Sequence, residues 1–226
     1  QMKLGNRLQL IASKIEKGST VVDIGTDHAH LPIYLVNKGL SKKVIATEIL
    51  SGPFEKAWKN IKKFGCQNYI DLRLGSGLKP IKPGEGDIAV IAGMGAINIV
   101  QIISESRETA DSFKKLILQP MRNQAKLREF LLTAGYQIID EDVTMEANKF
   151  YEVIVAKKGI RKAFDEIDIL VGPVLRNKKS SVIYEYINYR IRKLENIIRG
   201  LEISRSGKKL ILEQKKHLDA LKEVIR

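Results

Sequence analysis

Three carboxylates at the ends of short apolar runs carry most of the chemistry legible in this chain. Asp23 and Asp27 flank Gly25 in the segment Val21-Val-Asp-Ile-Gly-Thr-Asp-His-Ala-His-Leu31, and Glu48 closes the run Val44-Ile-Ala-Thr-Glu48. A β-branched run that delivers a glycine, followed by an apolar-periodic stretch from Leu31, is a strand, a tight turn and a helix start. That arrangement opens a nucleotide-type site at the carboxyl edge of a parallel sheet, and an acid about 20 residues further on is placed to take both hydroxyls of a ribose. Gly25 suits a sharp strand-to-helix turn, which demands unusual backbone angles or a close approach of ligand. A dinucleotide fingerprint would require further glycines where the chain has Asp27 and His30. A carboxylate there would stand beside the phosphates at the helix N-terminus. A cofactor without phosphates, such as S-adenosylmethionine, fits better.

The elements that position these residues alternate. Strands are expected near 20–24, 43–48, 69–74, 87–92, 115–119, 136–143 and 149–157, and helices near 29–38, 51–64, 96–105 and 123–134. An amphipathic helix over 1–17 places Leu4, Leu8, Ile11 and Ile15 on one face. This alternation predicts an α/β fold with a mostly parallel sheet covered on both faces. The last two strand runs leave no room for a crossover helix, so they are expected as an antiparallel hairpin. From 162 onward the strand pattern stops. Apolar residues recur at helical spacing from Ile183 to Leu201 and from Leu210 to Ile225, with a break at 204–207. Two long helices paired as a short antiparallel coiled coil are expected, with Pro173 ending whatever precedes it. The division falls between residues 1–159 and residues 160–226.

Lys and Arg number 39 against 26 Asp and Glu, a net charge of +13 with a pI near 9.7. Such a surplus fits a polyanionic partner, nucleic acid first, although an AT-rich genome, which yields Lys- and Ile-rich chains, would also produce it. The basic residues cluster at Lys157, Lys158, Arg161 and Lys162, and then along the last third: Lys178, Lys179, Arg190, Arg192, Lys193, Lys208, Lys209, Lys215 and Lys216. Aromatic interleaving there is limited to Tyr184, Tyr186 and Tyr189, so phosphate contact is better supported than base stacking. Cys66, the only cysteine, precludes an intrachain disulfide and reads as a buried packing residue. No apolar run approaches a membrane span and no signal-peptide core is present, so a cytoplasmic protein without membrane contact is expected. His28, His30, His217 and Cys66 have no ligand spacing for a metal.

Several motifs together resemble a known bacterial family. They are Leu4-Gly-Asn-Arg-Leu8, Asp23-Ile-Gly-Thr-Asp-His-Ala-His-Leu-Pro-Ile-Tyr-Leu-Val36, Thr47-Glu48 with Gly52-Pro53, Leu72-Arg-Leu-Gly-Ser-Gly-Leu78, Ile91-Ala-Gly-Met-Gly95, Leu116-Ile-Leu-Gln-Pro120 and Tyr151-Glu-Val-Ile154. The chain resembles the tRNA (adenine-22-N1)-methyltransferases over its whole length. The resemblance implies a Rossmann-like class I methyltransferase domain followed by a small helical domain, S-adenosylmethionine as donor, and tRNA as partner.

The resemblance also assigns roles by position. Asp23, Gly25, Thr26 and Asp27 form the loop that approaches the methionine part of the cofactor, where Asp23 or Asp27 could accept from its α-ammonium. Glu48 bridges the ribose, and Ile49 flanks the adenine. Gly75, Ser76 and Gly77 form the adenine turn, with the Ser76 hydroxyl in the place usually held by an acid or amide. Gly93 and Met94 lie where the acceptor atom meets the methyl group. Asp27 is the candidate for stabilising charge on the product, and His28 either touches substrate, orients a neighbour or merely starts a helix. Arg7, Gln119 and Arg122 are candidates for contacting substrate. A monomer is expected, with a dimer through the terminal helices as the alternative. Two other functions stay open at this stage: a methyltransferase for a different RNA or a small molecule, and a non-catalytic RNA-binding protein on the same scaffold.

Overall fold

A computed structural model of the chain describes residues 3–160, 163–204 and 207–225. Arg161 and Lys162 of the first basic cluster, and Arg205 and Ser206 of the helix break, lie outside the described residues. Seven strands form one sheet: β1 Val21–Ile24, β2 Val44–Glu48, β3 Ile70–Leu74, β4 Ile88–Met94, β5 Lys115–Pro120, β6 Tyr136–Glu146 and β7 Lys149–Lys158. Their order is β3-β2-β1-β4-β5-β7-β6, with β7 antiparallel to both neighbours and every other pairing parallel. All seven expected strands form, and the last two make the expected hairpin. The strand order reverses between β1 and β4, the point at which an open α/β sheet leaves a crevice at its carboxyl edge.

Helices cover both faces. On one side α1 (Asn6–Ser13), α2 (His30–Asn37) and α3 (Ser51–Lys63) bury Ile11, Ile33 and Ile61 against Val21, Val44 and Val90. On the other, α4 (Ala96–Glu105), α5 (Arg107–Ser112) and α6 (Gln124–Thr133) bury Ile99, Ala110 and Leu131 against Val22, Ile24 and Ile91. Strand alternation therefore sends Val22 and Ile24 to one face and Asp23 to the other, beneath α1. The first helix is shorter than expected. Cys66 is buried, as expected.

A third core gathers the C-terminal segment: α7 (Glu166–Leu170), a 3₁₀ turn (Leu175–Asn177), and the long helices α8 (Ser181–Ile203) and α9 (Lys208–Val224). Ion pairs Lys215–Glu202 and Lys222–Glu195 show the two long helices antiparallel, since one partner's number rises as the other's falls. Val143 of β6 belongs to the same core, with Phe150 and Ala125 packed against it, so the helices are seated on the sheet edge. Among the described residues no helix is long and apolar enough to cross a membrane.

This seat is ionic at its centre. Arg128 of α6 is fully buried; its Nε donates to Glu141 Oε1 at 2.7 Å, and its Nη2 donates to Glu152, both acids also buried. Burial alone would lower the Arg128 pKa, but Glu152 and Glu141 hold it above its usual value. The Tyr186 hydroxyl of α8 donates to Glu152, and Glu141 Oε2 accepts from the backbone N–H groups of Val174 and Leu175. The four side chains tie β6, β7 and α6 to the connector and to α8.

Candidate active site

The carboxyl edge of β1, β2 and β4 opens into two lobes that share Gly25. One, of about 240 Å³, is lined by Arg7, Asp23, Thr26, Asp27, His28 and Gly93 among others. The other, of about 440 Å³, is lined by Ile49, Gly75, Ser76, Gly77, Met94 and Ile102 among others. The first is polar and lies under α1; the second lies between the ends of β2 and β3 and the start of α4. The structure thus brings the cofactor-loop candidates and the adenine-turn candidates onto one continuous edge.

Gly25 has φ +70°, and a Cβ there would run into the Met94 methyl group. The turn that follows is strained: Asp27 and Ala29 both have left-handed backbone angles, φ 52° and 56°. For alanine that conformation costs about 1–2 kcal/mol, so the surrounding contacts over-determine the loop. The strain is spent on aim. Asp27 presents its N–H to Glu48 while its carboxylate stays two-thirds exposed, 3.6 Å from His28 Nε2. The rings of His28 and His30 stack with centroids 5.4 Å apart. Burial and the neighbouring His28 push the His30 imidazole below its usual pKa.

Glu48 is 7% exposed and pinned by backbone donors. Oε1 accepts from the N–H groups of Ile49 and Leu50 at 2.8 and 3.1 Å, and Oε2 from Asp27 at 3.2 Å. A carboxylate has about four lone-pair sites, so one remains free on Oε2. The expectation that Glu48 bridges two hydroxyls thus narrows to one strong acceptor site, with any second contact shared with Ile49 and Leu50.

Asp23 is nearly as buried, at 6% exposure. Burial, with Glu48 adding its charge, pushes its carboxyl up to about 6 against the pull of the Thr26 hydroxyl and of Arg7. The Thr26 hydroxyl beside it is also buried and lowers that carboxyl, at a geometry short of a full hydrogen bond. A buried carboxylate only partly compensated by the protein, next to a hydroxyl it does not fully engage, is a receptor for a cationic group with polar substituents. The residues present fit the amino-acid end of S-adenosylmethionine.

Arg7 and Gln119 were expected to meet substrate, and the structure separates their roles. Arg7 lines the polar lobe, and its Nη1 donates to Gln119 Oε1 at 2.9 Å. Gln119 is fully buried, and the same oxygen accepts from Gly93 N–H at 3.1 Å. Gln119 therefore acts on the lobe through Arg7 and Gly93 and does not line it. The start of α1 lacks a side-chain cap of its own; Glu146, at the tip of the β6–β7 hairpin, supplies one by accepting from Arg7 N–H at 2.9 Å. Gly5 permits that approach, because a Cβ there would collide with the Glu146 carboxylate. Neither Gln119's acceptance from Arg7 nor the Glu146 cap carries a sequence signal, since those partners lie more than 100 residues apart. Arg122 lies at the end of β5, where its carbonyl accepts from Ala96 N–H, outside both lobes. Among the described residues no group of three His, Cys, Asp or Glu could hold a metal ion.

Comparison with known proteins then fixes the family. Residues 21–225 match the family model described as tRNA (adenine(22)-N(1))-methyltransferase. The Bacillus subtilis protein of that name is 36% identical across this entire chain and 98% of its own. The crystal structure of the B. subtilis m1A22 tRNA methyltransferase is 34% identical, covers both chains completely and superposes with a TM-score of 0.89. A Mycoplasma capricolum relative, solved with the natural cofactor product S-adenosyl-homocysteine, is 28% identical with full coverage of both chains and a TM-score of 0.85. The chain belongs to the tRNA (adenine(22)-N(1))-methyltransferase family.

Proposed function

We propose that the polar lobe and the Gly75–Gly77 lobe together hold one molecule of S-adenosylmethionine, with Asp23 on its ammonium group, Glu48 on its ribose and Ile49 and Ser76 about its adenine. As a family member the chain is a cofactor-dependent tRNA methyltransferase that modifies N1 of adenine 22. The observation that supports this residue assignment best is the buried Asp23, which the Thr26 hydroxyl and Arg7 compensate only in part. When bound, the cofactor supplies an electrophilic methyl group. N1 of adenine carries an in-plane lone pair and is unprotonated near neutral pH, so the protein has no strong base to provide. Its work is placement in a site screened from water. Arg7, fixed by Gln119 and by the Glu146 cap, closes the side of the lobe nearest α1. Asp27 stabilises the positive charge that develops on the adenine or takes a proton from its exocyclic amine, and His28 orients it. The base must leave its stack for N1 to be reached.

The division into a catalytic part, residues 1–159, and a basic helical part, residues 160–226, that engages tRNA belongs to the same proposal. So does action in the cytoplasm as a monomer.

Two variants test it. Glu48→Ala removes one charge-assisted acceptor, about 2 kcal/mol, and should weaken cofactor binding about thirtyfold in calorimetry while thermal unfolding stays cooperative; unaltered affinity would refute the ribose assignment. Asp27→Asn should keep cofactor affinity and lower single-turnover methylation by about a hundredfold or more, the lower end of a general acid–base contribution. An unchanged rate would leave Asp27 with no part in catalysis.

A further inference from the structure

A hollow of about 560 Å³ beside the catalytic edge runs between the end of β5, the β6–β7 hairpin and the faces of α8 and α9. None of the side chains that line it is acidic, in a protein with 26 acids. Arg122, Lys149 and Lys193 line it, and among the described residues none of the three is engaged in an ion pair. Phe150 and Tyr189 stand together in its wall, ring centroids 5.4 Å apart, and Tyr189 is 44% exposed. One end of the hollow abuts the site: Met121 N–H donates to Met94 O at 2.8 Å, and Ala96 N–H to Arg122 O at 3.2 Å. Free cations and an exposed ring with no competing carboxylate are the features that bind single-stranded nucleic acid through phosphate and base face.

We infer that this groove is a second nucleotide subsite, which takes a nucleotide adjoining the target adenine, stacks its base on Tyr189 and holds its phosphate at Lys193. The inference rests on the reading of the site as a tRNA methyltransferase. Its physical basis is continuity and compensation. A base drawn toward Gly93 and Met94 leaves its neighbour with an uncovered face, and the groove begins within hydrogen-bond reach of Met94. An aromatic platform there returns part of the stacking lost on extrusion. The expectation that phosphate contact is better supported than base stacking along the basic helices is thereby extended, because the partner ring to Tyr189 comes from β7 and not from the helices.

The test uses the full chain and unmodified tRNA. Tyr189→Ala should raise KM for tRNA about tenfold, the size of one lost base–aromatic stack, with cofactor affinity unchanged. Tyr189→Phe keeps the ring and should stay within about twofold of the parent. Lys193→Ala should reduce the salt dependence of tRNA binding by about one unit of slope. A tRNA carrying 2-aminopurine next to the target should be quenched on binding by the parent and by Tyr189→Phe, and not by Tyr189→Ala. Equal KM values for the parent and Tyr189→Ala, or quenching that survives the loss of the ring, would overturn the subsite and leave the methyltransferase reading standing. Failure of the parent chain to form 1-methyladenosine would instead remove the reading on which the subsite depends.

Discussion

Asp23→Asn should stabilise the ligand-free protein at pH 8 and at the same time weaken S-adenosylmethionine binding more than a hundredfold. The carboxyl is raised to about 6 in the fold from an ordinary value near 3.9. A raised acid favours the fold when protonated. Its contribution is therefore most favourable below the unfolded value, declines between about pH 4 and pH 6, and stays unfavourable above. At pH 8 the ionised side chain costs the fold about 3 kcal/mol, which a neutral isostere of equal size relieves. The same charge is what a cofactor ammonium needs, and losing a charge-assisted bond in a buried site is worth about 3 kcal/mol at the upper end. Thermal unfolding at pH 8 and pH 5 checks the first half: the variant should gain at pH 8 and lose about half of that gain at pH 5. Calorimetry checks the second. A variant less stable than the parent at pH 8 would show that Arg7 and the surrounding contacts fully compensate the charge.

Arg128→Ala should be the most destabilising single substitution among the polar residues. It strands Glu141 and Glu152, exposed 1% and 2%, without their cation. Breaking a buried ion pair from one side costs about 3–5 kcal/mol, which for a chain of this size lowers the melting temperature by about 10 °C or more. Burial and the charge of Glu152 raise the Tyr186 hydroxyl, which keeps it protonated as the donor that joins α8 to the sheet. Replacing Arg128, Glu141 and Glu152 together by Met, Gln and Gln should recover much of the loss, since the harm lies in the uncompensated charge. If Arg128→Ala melts within about 2 °C of the parent, the network does not seat the helical segment.

The parts of the site that could be read from sequence are those that end a strand. Asp23, Gly25, Glu48 and Gly93 each follow a β-branched run, and strand-end position in a parallel sheet is position at the crevice. The seven strands were legible for the same reason. What escaped lies in pairings across long stretches of chain. Gln119 reads from sequence as the end of the fifth strand and a candidate for contacting substrate, and only the register of β4 against β5 reveals that it is buried and joins Gly93 to Arg7. Arg128 and Glu141 look like solvated charges; Glu152, set between Tyr151 and the run Val153-Ile-Val-Ala156, was the one visible hint of a buried acid. The short helices α5 and α7 were missed because five or six residues carry too little periodicity. For α7 the usable signal was the reciprocal cap between Asp165 and Asp168, with aspartate where glutamate is the usual partner. The aromatic pair of the groove, Phe150 and Tyr189, is assembled from a hairpin and a helix that only the third core brings together.

The most direct measurement is transfer of labelled methyl from S-adenosylmethionine to unmodified tRNA by the purified full chain, with the product digested to nucleosides. Label appearing as 1-methyladenosine, and vanishing when adenine 22 is replaced, is the expected result. Label in N6-methyladenosine or a methylated guanosine, or no transfer despite tight cofactor binding, would contradict the account.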